Sequence, residues 1–136
     1  MTQWHMDSKK KSTGGKNAAV RRIDKRLAWK GGEFSATGIA EDEKKEKRKT
    51  VKTLGGNTKV KAQRVKFIAL TNPATKKTAK AEVLSVAENN ANRQYARQNT
   101  MTKGAIIKVR FEGKEARAKV TSRPGQAGTV QAVLMP

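Results

Sequence analysis

Gly104-Ala105-Ile106-Ile107-Lys108-Val109-Arg110-Phe111, then Glu112-Gly113-Lys114, then Glu115-Ala116-Arg117-Ala118-Lys119-Val120-Thr121-Ser122, is the stretch on which the fold turns. In its first arm Ala105, Ile107, Val109 and Phe111 face one way, and Lys108 and Arg110 face the other. Alternation with period two is the mark of a half-buried strand. Glu112-Gly113-Lys114 makes a short hairpin loop, and the return arm sets Ala116, Ala118 and Val120 against Arg117 and Lys119. One face of this hairpin is aliphatic and the other is basic, which gives both a core and a charged exterior.

Outward from the hairpin the same texture continues. Arg123-Pro124-Gly125-Gln126 supplies Pro then Gly, the central pair of a type II turn, and residues 129–135 read as the last strand. Upstream, residues 51–54 lead into the turn signal Gly55-Gly56-Asn57, and residues 58–70 read as one long strand or two broken ones. The apolar phase shifts there, from Val60 and Ala62 to Val65, Phe67 and Ala69, so a bulge or corner is expected near Gln63 and Arg64. Asn72-Pro73-Ala74-Thr75 is a turn, followed by a strand over 78–86. About six short strands joined mostly by tight turns predict an all-β domain, a small antiparallel six-stranded barrel spanning residues 51–136.

The charge is lopsided. Of 136 residues, 31 are Lys or Arg and 11 are Asp or Glu, a formal net charge of +20. Residues 1–30 hold nine bases and two acids, 31–50 hold five of each, and 51–136 hold seventeen and four. The first fifty residues show no sustained apolar period, so they cannot bury enough surface to offset roughly 1–2 kcal/mol of backbone entropy per residue. Residues 1–50 are therefore expected to be a long basic N-terminal arm and charged linker, disordered without a partner. Within it, residues 41–49 place Glu41 before Lys45 and Glu43 before Lys47, four apart. That spacing suits a short helix, and a solvated linker suits it equally well.

An excess of this size needs a polyanion, and bulk RNA, bound by counterion release and read through its backbone shape, is the natural one. Residues 88–99 break the strand pattern with four Asn, two Gln, two Arg and the only Tyr. Asn is at home in turns, so an irregular connection with one helical turn accounts for this composition. A surface of Asn92, Arg93, Tyr95, Arg97 and Asn99, with donors for phosphates and a ring for an unpaired base, accounts for it equally well.

Catalytic readings fail. There is no Cys and a single His, His5, so zinc ribbons and histidine metal sites are excluded, and no cofactor is indicated. Gly14-Gly15-Lys16-Asn17 lacks the Ser or Thr and the upstream strand of a phosphate loop. Ser122 has no histidine base, and Glu112 and Glu115 each lie beside a base at a hairpin loop. The longest apolar runs, 67–70 and 132–135, are four residues each, far short of the roughly 20 needed to span a membrane. With no apolar segment behind residues 1–11, a cytoplasmic chain is expected.

Three strings then carry a resemblance. Residues 88–99 followed by Met101-Thr102-Lys103-Gly104-Ala105-Ile106-Ile107, and Val120-Thr121-Ser122-Arg123-Pro124-Gly125-Gln126, are similar to the archaeal and eukaryotic-type protein eight family of the small ribosomal subunit. Trp4, Thr13-Gly14-Gly15, Gly55-Gly56-Asn57-Thr58-Lys59 and Val130-Gln131-Ala132-Val133-Leu134 agree in order, and the short length resembles the archaeal form. Ser12 and Asn90 stand where that family usually has proline. The resemblance implies a six-stranded barrel and an arm threading among ribosomal RNA helices. It also implies neighbouring small-subunit proteins as partners, one copy per ribosome, and no catalysis. RNA contact is expected at Lys9, Lys10, Lys11, Lys16, Arg21, Arg22, Lys25 and Arg26 in the arm. In the domain it is expected at Asn57, Lys59, Asn92, Arg93, Tyr95, Arg97, Lys103 and Arg123. The alternative is a free single-stranded nucleic-acid-binding barrel. Such modules present stacked aromatics on a sheet face, whereas the domain offers only Phe67, Tyr95 and Phe111, two of them in apolar phase.

Overall fold

Alternating aliphatic and basic residues do pair as the sequence predicts: Ile106–Phe111 and Lys114–Val120 form an antiparallel hairpin in register from Ile106 opposite Lys119 to Phe111 opposite Lys114. Glu112 (φ 51°) and Gly113 (φ 77°) both take left-handed backbone, the requirement of a two-residue turn whose twist matches its strands. The computed structural model describes residue 5, residues 9–16 and residues 29–135. Among these, eight strands occur: β1 (Gly38–Ile39), β2 (Lys47–Lys52), β3 (Thr58–Val65), β4 (Phe67–Asn72), β5 (Lys77–Glu88), β6 (Ile106–Phe111), β7 (Lys114–Val120) and β8 (Gln131–Leu134). Two short helices lie between them, α1 (Arg93–Arg97) and α2 (Pro124–Ala127).

The barrel has five strands, β4-β5-β6-β7-β8, and not the six expected. Each successive pair is antiparallel, so directions alternate, and with an odd number the first and last strands run the same way. The closing seam is accordingly parallel, with Ala69 opposite Gln131 and Thr71 opposite Val133, and the barrel is not purely antiparallel. β3, counted as a barrel strand by its pattern, instead forms a separate three-stranded sheet in the order β1-β3-β2.

The core is small and aliphatic. Val65, Ile68, Leu70, Ala81, Val83, Ile107, Val109, Ala118, Val120 and Ala132 are buried together with Met101 and Val130. The expected irregularity is present at Gln63: Arg48 pairs with Ala62 and Lys47 with Arg64, leaving Gln63 as the extra residue. A second break follows at Lys66, where the chain bends. Val65 and Ile68 are buried three residues apart, so the phase flips and Phe67 and Ala69 come to lie half-buried on the outer face. The placement of Phe67 among the core positions is thereby corrected.

Residues 41–49 are neither a helix nor a free linker. A 3-10 turn at Glu43–Lys45 leads directly into β2, which pairs along β3. The chain divides into two compact units at Met1–Phe34 and Ser35–Pro136, so residues 35–50 belong with the barrel, ahead of the change of texture at residue 50. At residues 123–126 the Pro-Gly pair opens α2, with Pro124 in its first turn, where its fixed φ fits a helix. Gly128 (φ 70°), and not Gly125, supplies the left-handed residue that ends it. Gly125 serves close approach, since a Cβ there would lie 3.2 Å from Cβ of Ser35.

Candidate nucleic-acid interface

In the Met1–Phe34 unit Lys10, Lys11 and Lys16 are held by local backbone bonds. Lys10 and Lys16 form an antiparallel bridge, Lys11 N–H donates to Gly15 O (2.7 Å), and Gly14 N–H donates to Lys11 O (2.9 Å). Gly14 closes this loop at φ 84°. Lys9, Lys10, Lys11 and Lys16 are all exposed on it. Their charges are thus gathered on one small loop rather than strung along an extended chain. Arg21, Arg22, Lys25 and Arg26 lie outside the described residues.

The connection 88–99 shows why it is so rich in Asn. Buried Asn89 donates to Thr100 O (3.0 Å) and accepts from Ala91 N–H and the Thr102 hydroxyl. Asn92 caps α1 by accepting from Gln94 N–H at 2.8 Å. Asn99 sits in left-handed backbone (φ 50°), and its Oδ1 accepts from Val86 N–H of β5. These amides spend their acceptors on folding, which Asn is suited to do. What they hold outward is a pair of guanidinium groups: Arg93 and Arg97 are exposed and one helical turn apart, with Tyr95 half-buried between them. Lys103 is exposed in the following turn.

A second group joins residues far apart in sequence. α2 packs on β3, and Lys59 Nζ donates to Gln126 Oε1 at 3.1 Å. Lys59 at the start of β3 is thereby tied to α2, the helix that Arg123 precedes, and both Lys59 and Arg123 are exposed. Asn57 closes the adjoining loop through its backbone, accepting from Thr53 N–H at 2.7 Å. The sequence named these residues without indicating that α2 packs on β3.

One basic surface of the Ser35–Pro136 unit was not singled out at all. β2 is Lys-Arg-Lys-Thr-Val-Lys, exposed along nearly its whole length. Lys47 lies directly opposite Arg64, and Lys49 directly opposite Lys61. On the barrel Lys108 lies opposite Arg117. Like charges facing each other across a ladder are unfavourable. The even charge balance of residues 31–50 concealed this ribbon, because its acids are used locally. Glu41 and Asp42 bind Lys45 at 2.8 and 3.4 Å. Glu46 Oε1 accepts from Lys66 N–H and Phe67 N–H at 3.0 and 3.1 Å. The hydrogen bond from Lys45 holds the Glu41 carboxyl below its ordinary pKa, and the same bond raises that of Lys45. The readable signal was the repeat of bases two apart, at Lys47 and Lys49 and at Lys59 and Lys61, in segments destined to pair.

Among the described residues no group of three or more His, Cys, Asp or Glu side chains could hold a metal ion, and no helix is long and apolar enough to cross a membrane.

Comparison with known proteins shows the family. Residues 4–135 match the family model described as Ribosomal protein S8e. Three archaeal relatives carry the name small ribosomal subunit protein eS8. That of Methanosarcina barkeri is 42% identical over 133 residues, covering 98% of both chains. That of Methanospirillum hungatei is 41% identical with the same coverage. That of Methanococcus aeolicus is 40% identical over 132 residues, covering 97% of this chain and 96% of the relative.

Proposed function

The chain belongs to the ribosomal protein S8e family, a family of structural proteins and not of enzymes, and on that footing we propose that it is a constituent of the small ribosomal subunit that binds and stabilises ribosomal RNA. The observation that carries this reading is the placing of like charges opposite one another, Lys49 on Lys61, Lys47 on Arg64 and Lys108 on Arg117. Such pairs are unfavourable in the free protein and become favourable against phosphates, whose counterions are released on contact.

Lys9, Lys10, Lys11 and Lys16, with Arg21, Arg22, Lys25 and Arg26, act as charges against the RNA backbone. Arg93 and Arg97 on α1, with Arg123 preceding α2, the helix to which Lys59 is tied, act as planar donors aimed at paired phosphate oxygens. Asn57, Asn92, Tyr95 and Lys103 border these groups. One copy sits in a cytoplasmic particle among neighbouring small-subunit proteins.

Binding to a small-subunit RNA fragment should weaken by about 10³- to 10⁵-fold between 50 and 200 mM salt if six to ten phosphates are engaged. A flat salt response would overturn the phosphate-led mechanism. In sucrose gradients the protein should travel with the small subunit, and Arg93→Lys, Arg97→Lys and Arg123→Lys should each lower incorporation more than Lys→Arg changes at Lys9, Lys10 or Lys11.

A further inference from the structure

Phe67 is an aromatic ring on the outer face of a sheet, and its surroundings are those of a binding platform rather than of a misplaced core residue. The bend at Lys66 turns it outward, and it lies half-buried across from Glu82 in the β4–β5 register. Beside it an open cleft of about 450 Å³, lined by Ala69, Thr78, Glu46, Arg48 and Lys80, runs between the head of β2 and the β4–β5 pair. The volume is within the range of small-molecule sites. Lys80 Nζ stands 3.9 Å from the centroid of the Phe67 ring, and Lys66 Nζ stands 5.8 Å from it.

The nearby acids do not make the cleft repel an anion. Glu46 is bonded to the backbone of Lys66 and Phe67 and lies 4.0 Å from Arg48. Glu82 pairs with Lys66 at 3.3 Å and Arg110 at 3.7 Å. Lys80 thus stands over the ring, and a second cationic side chain, Arg48, lines the same open depression.

We propose that this cleft takes a single unpaired nucleotide of RNA, its base stacked on Phe67 in place of the Lys80 ammonium and its phosphate held by Lys80 and Arg48. A base stacked on the ring displaces the Lys80 ammonium from its face, and the displaced ammonium turns to the phosphate. A duplex could not use the ring, since its bases are already stacked on one another. The cleft therefore selects an unstacked nucleotide in a loop or bulge, where ribosomal RNA offers bases that can be splayed out. Stacking tolerates any base, so no sequence preference is expected. The proposal rests on RNA being the partner and adds which feature of the RNA is read.

The test uses the full chain with single-stranded hexauridylate, a blunt RNA duplex of equal charge, and a small-subunit RNA fragment. Hexauridylate should move the Phe67 ring-proton resonances upfield, and the duplex should leave them in place. Phe67→Leu should weaken hexauridylate binding roughly 5- to 150-fold, the worth of one stacked base, while Phe67→Tyr, which keeps the ring, should bind as the parent does. If the RNA fragment binds but Phe67→Leu binds hexauridylate as tightly as the parent, or the ring resonances do not move, the stacking site is wrong and the ribosomal reading stands. If neither RNA binds at all, the ribosomal reading itself fails. Unfolding of Phe67→Leu would be visible as lost signal dispersion, and Phe67→Tyr with the ring-shift measurement then decides alone.

Discussion

The barrel and the β1-β3-β2 sheet hold their strands by opposite means. In the barrel each strand turns an aliphatic face inward, and Ile107, Val109 and Ala118 are fully excluded from water. Its charges are partly balanced, with Glu115 across from Arg110 and Glu82 between Lys66 and Arg110. β2, by contrast, buries almost nothing and faces base with base. It exists as a strand because β3 offers it a ladder, and β3 is anchored by Ala62 and Val65 on one side and by α2 on the other. The barrel supplies the free energy of folding, and the ribbon draws on it to hold charge in a fixed array.

The largest effect that bears on this contrast is in the barrel. Ile107→Ala removes a fully buried side chain and should cost about 2–5 kcal/mol in urea unfolding, with ribbon and barrel lost in one transition. A separate early transition of the ribbon would break the dependence of one on the other. Next is the joint between them. At Gly128, in left-handed backbone, a Cβ would lie 3.0 Å from both Cγ1 and the carbonyl of Val60, so Gly128→Ala should cost about 1–3 kcal/mol. Its backbone shifts by NMR should extend along β3, and shifts confined to residues 124–131 would contradict that coupling.

A smaller effect, of opposite sign, is expected in the ribbon. Lys61→Glu places an acid opposite Lys49 and should stabilise the free protein by about 0.2–1 kcal/mol while weakening its binding to RNA. Loss of both stability and binding would show that the base-on-base ladder carries no strain. Smallest is the ion pair at the ribbon's head. A Glu41 carboxyl held low in the folded state contributes its interaction above the ordinary glutamate pKa and loses it as pH falls through the lowered value. In an NMR titration Glu41 should protonate below a free glutamate, and Lys45→Met should return it to the ordinary range.

The parts of this fold that were legible in the sequence are those where one face is wholly aliphatic. Residues 107–111 alternate without exception, and the hairpin follows. Phe67 was misread because a period-two pattern carries its phase only as far as the next irregularity. Two breaks, at Gln63 and Lys66, lie within four residues, and the second reverses the first. β2 has no aliphatic alternation to read, since its order comes from the partner strand. The strand total was close but the assignment of strands to sheets was not, because a local pattern does not tell which sheet an edge will join. Of the candidate site residues, the arginines were legible by chemistry. The bond from Lys59 to Gln126 depends on α2 folding back on β3, a contact between segments far apart in the chain.

The parallel seam has a consequence in time. β4 is made early and β8 last, and no contact between neighbouring strands brings them together, so the seam must wait for the longest loop in the barrel to close. A nascent chain that has not yet released residues 131–134 from the synthesising machinery carries a complete four-stranded curl with β4 as a bare edge, open to pairing with another chain. The amide of Ala69, bonded in the finished barrel to Val130 O at 3.1 Å, should therefore be the last in the barrel to gain protection in pulse-labelled hydrogen exchange, after those of the β6–β7 hairpin. That bare edge makes the interval between synthesis of β4 and arrival of β8 the one in which self-association competes with closure of the barrel.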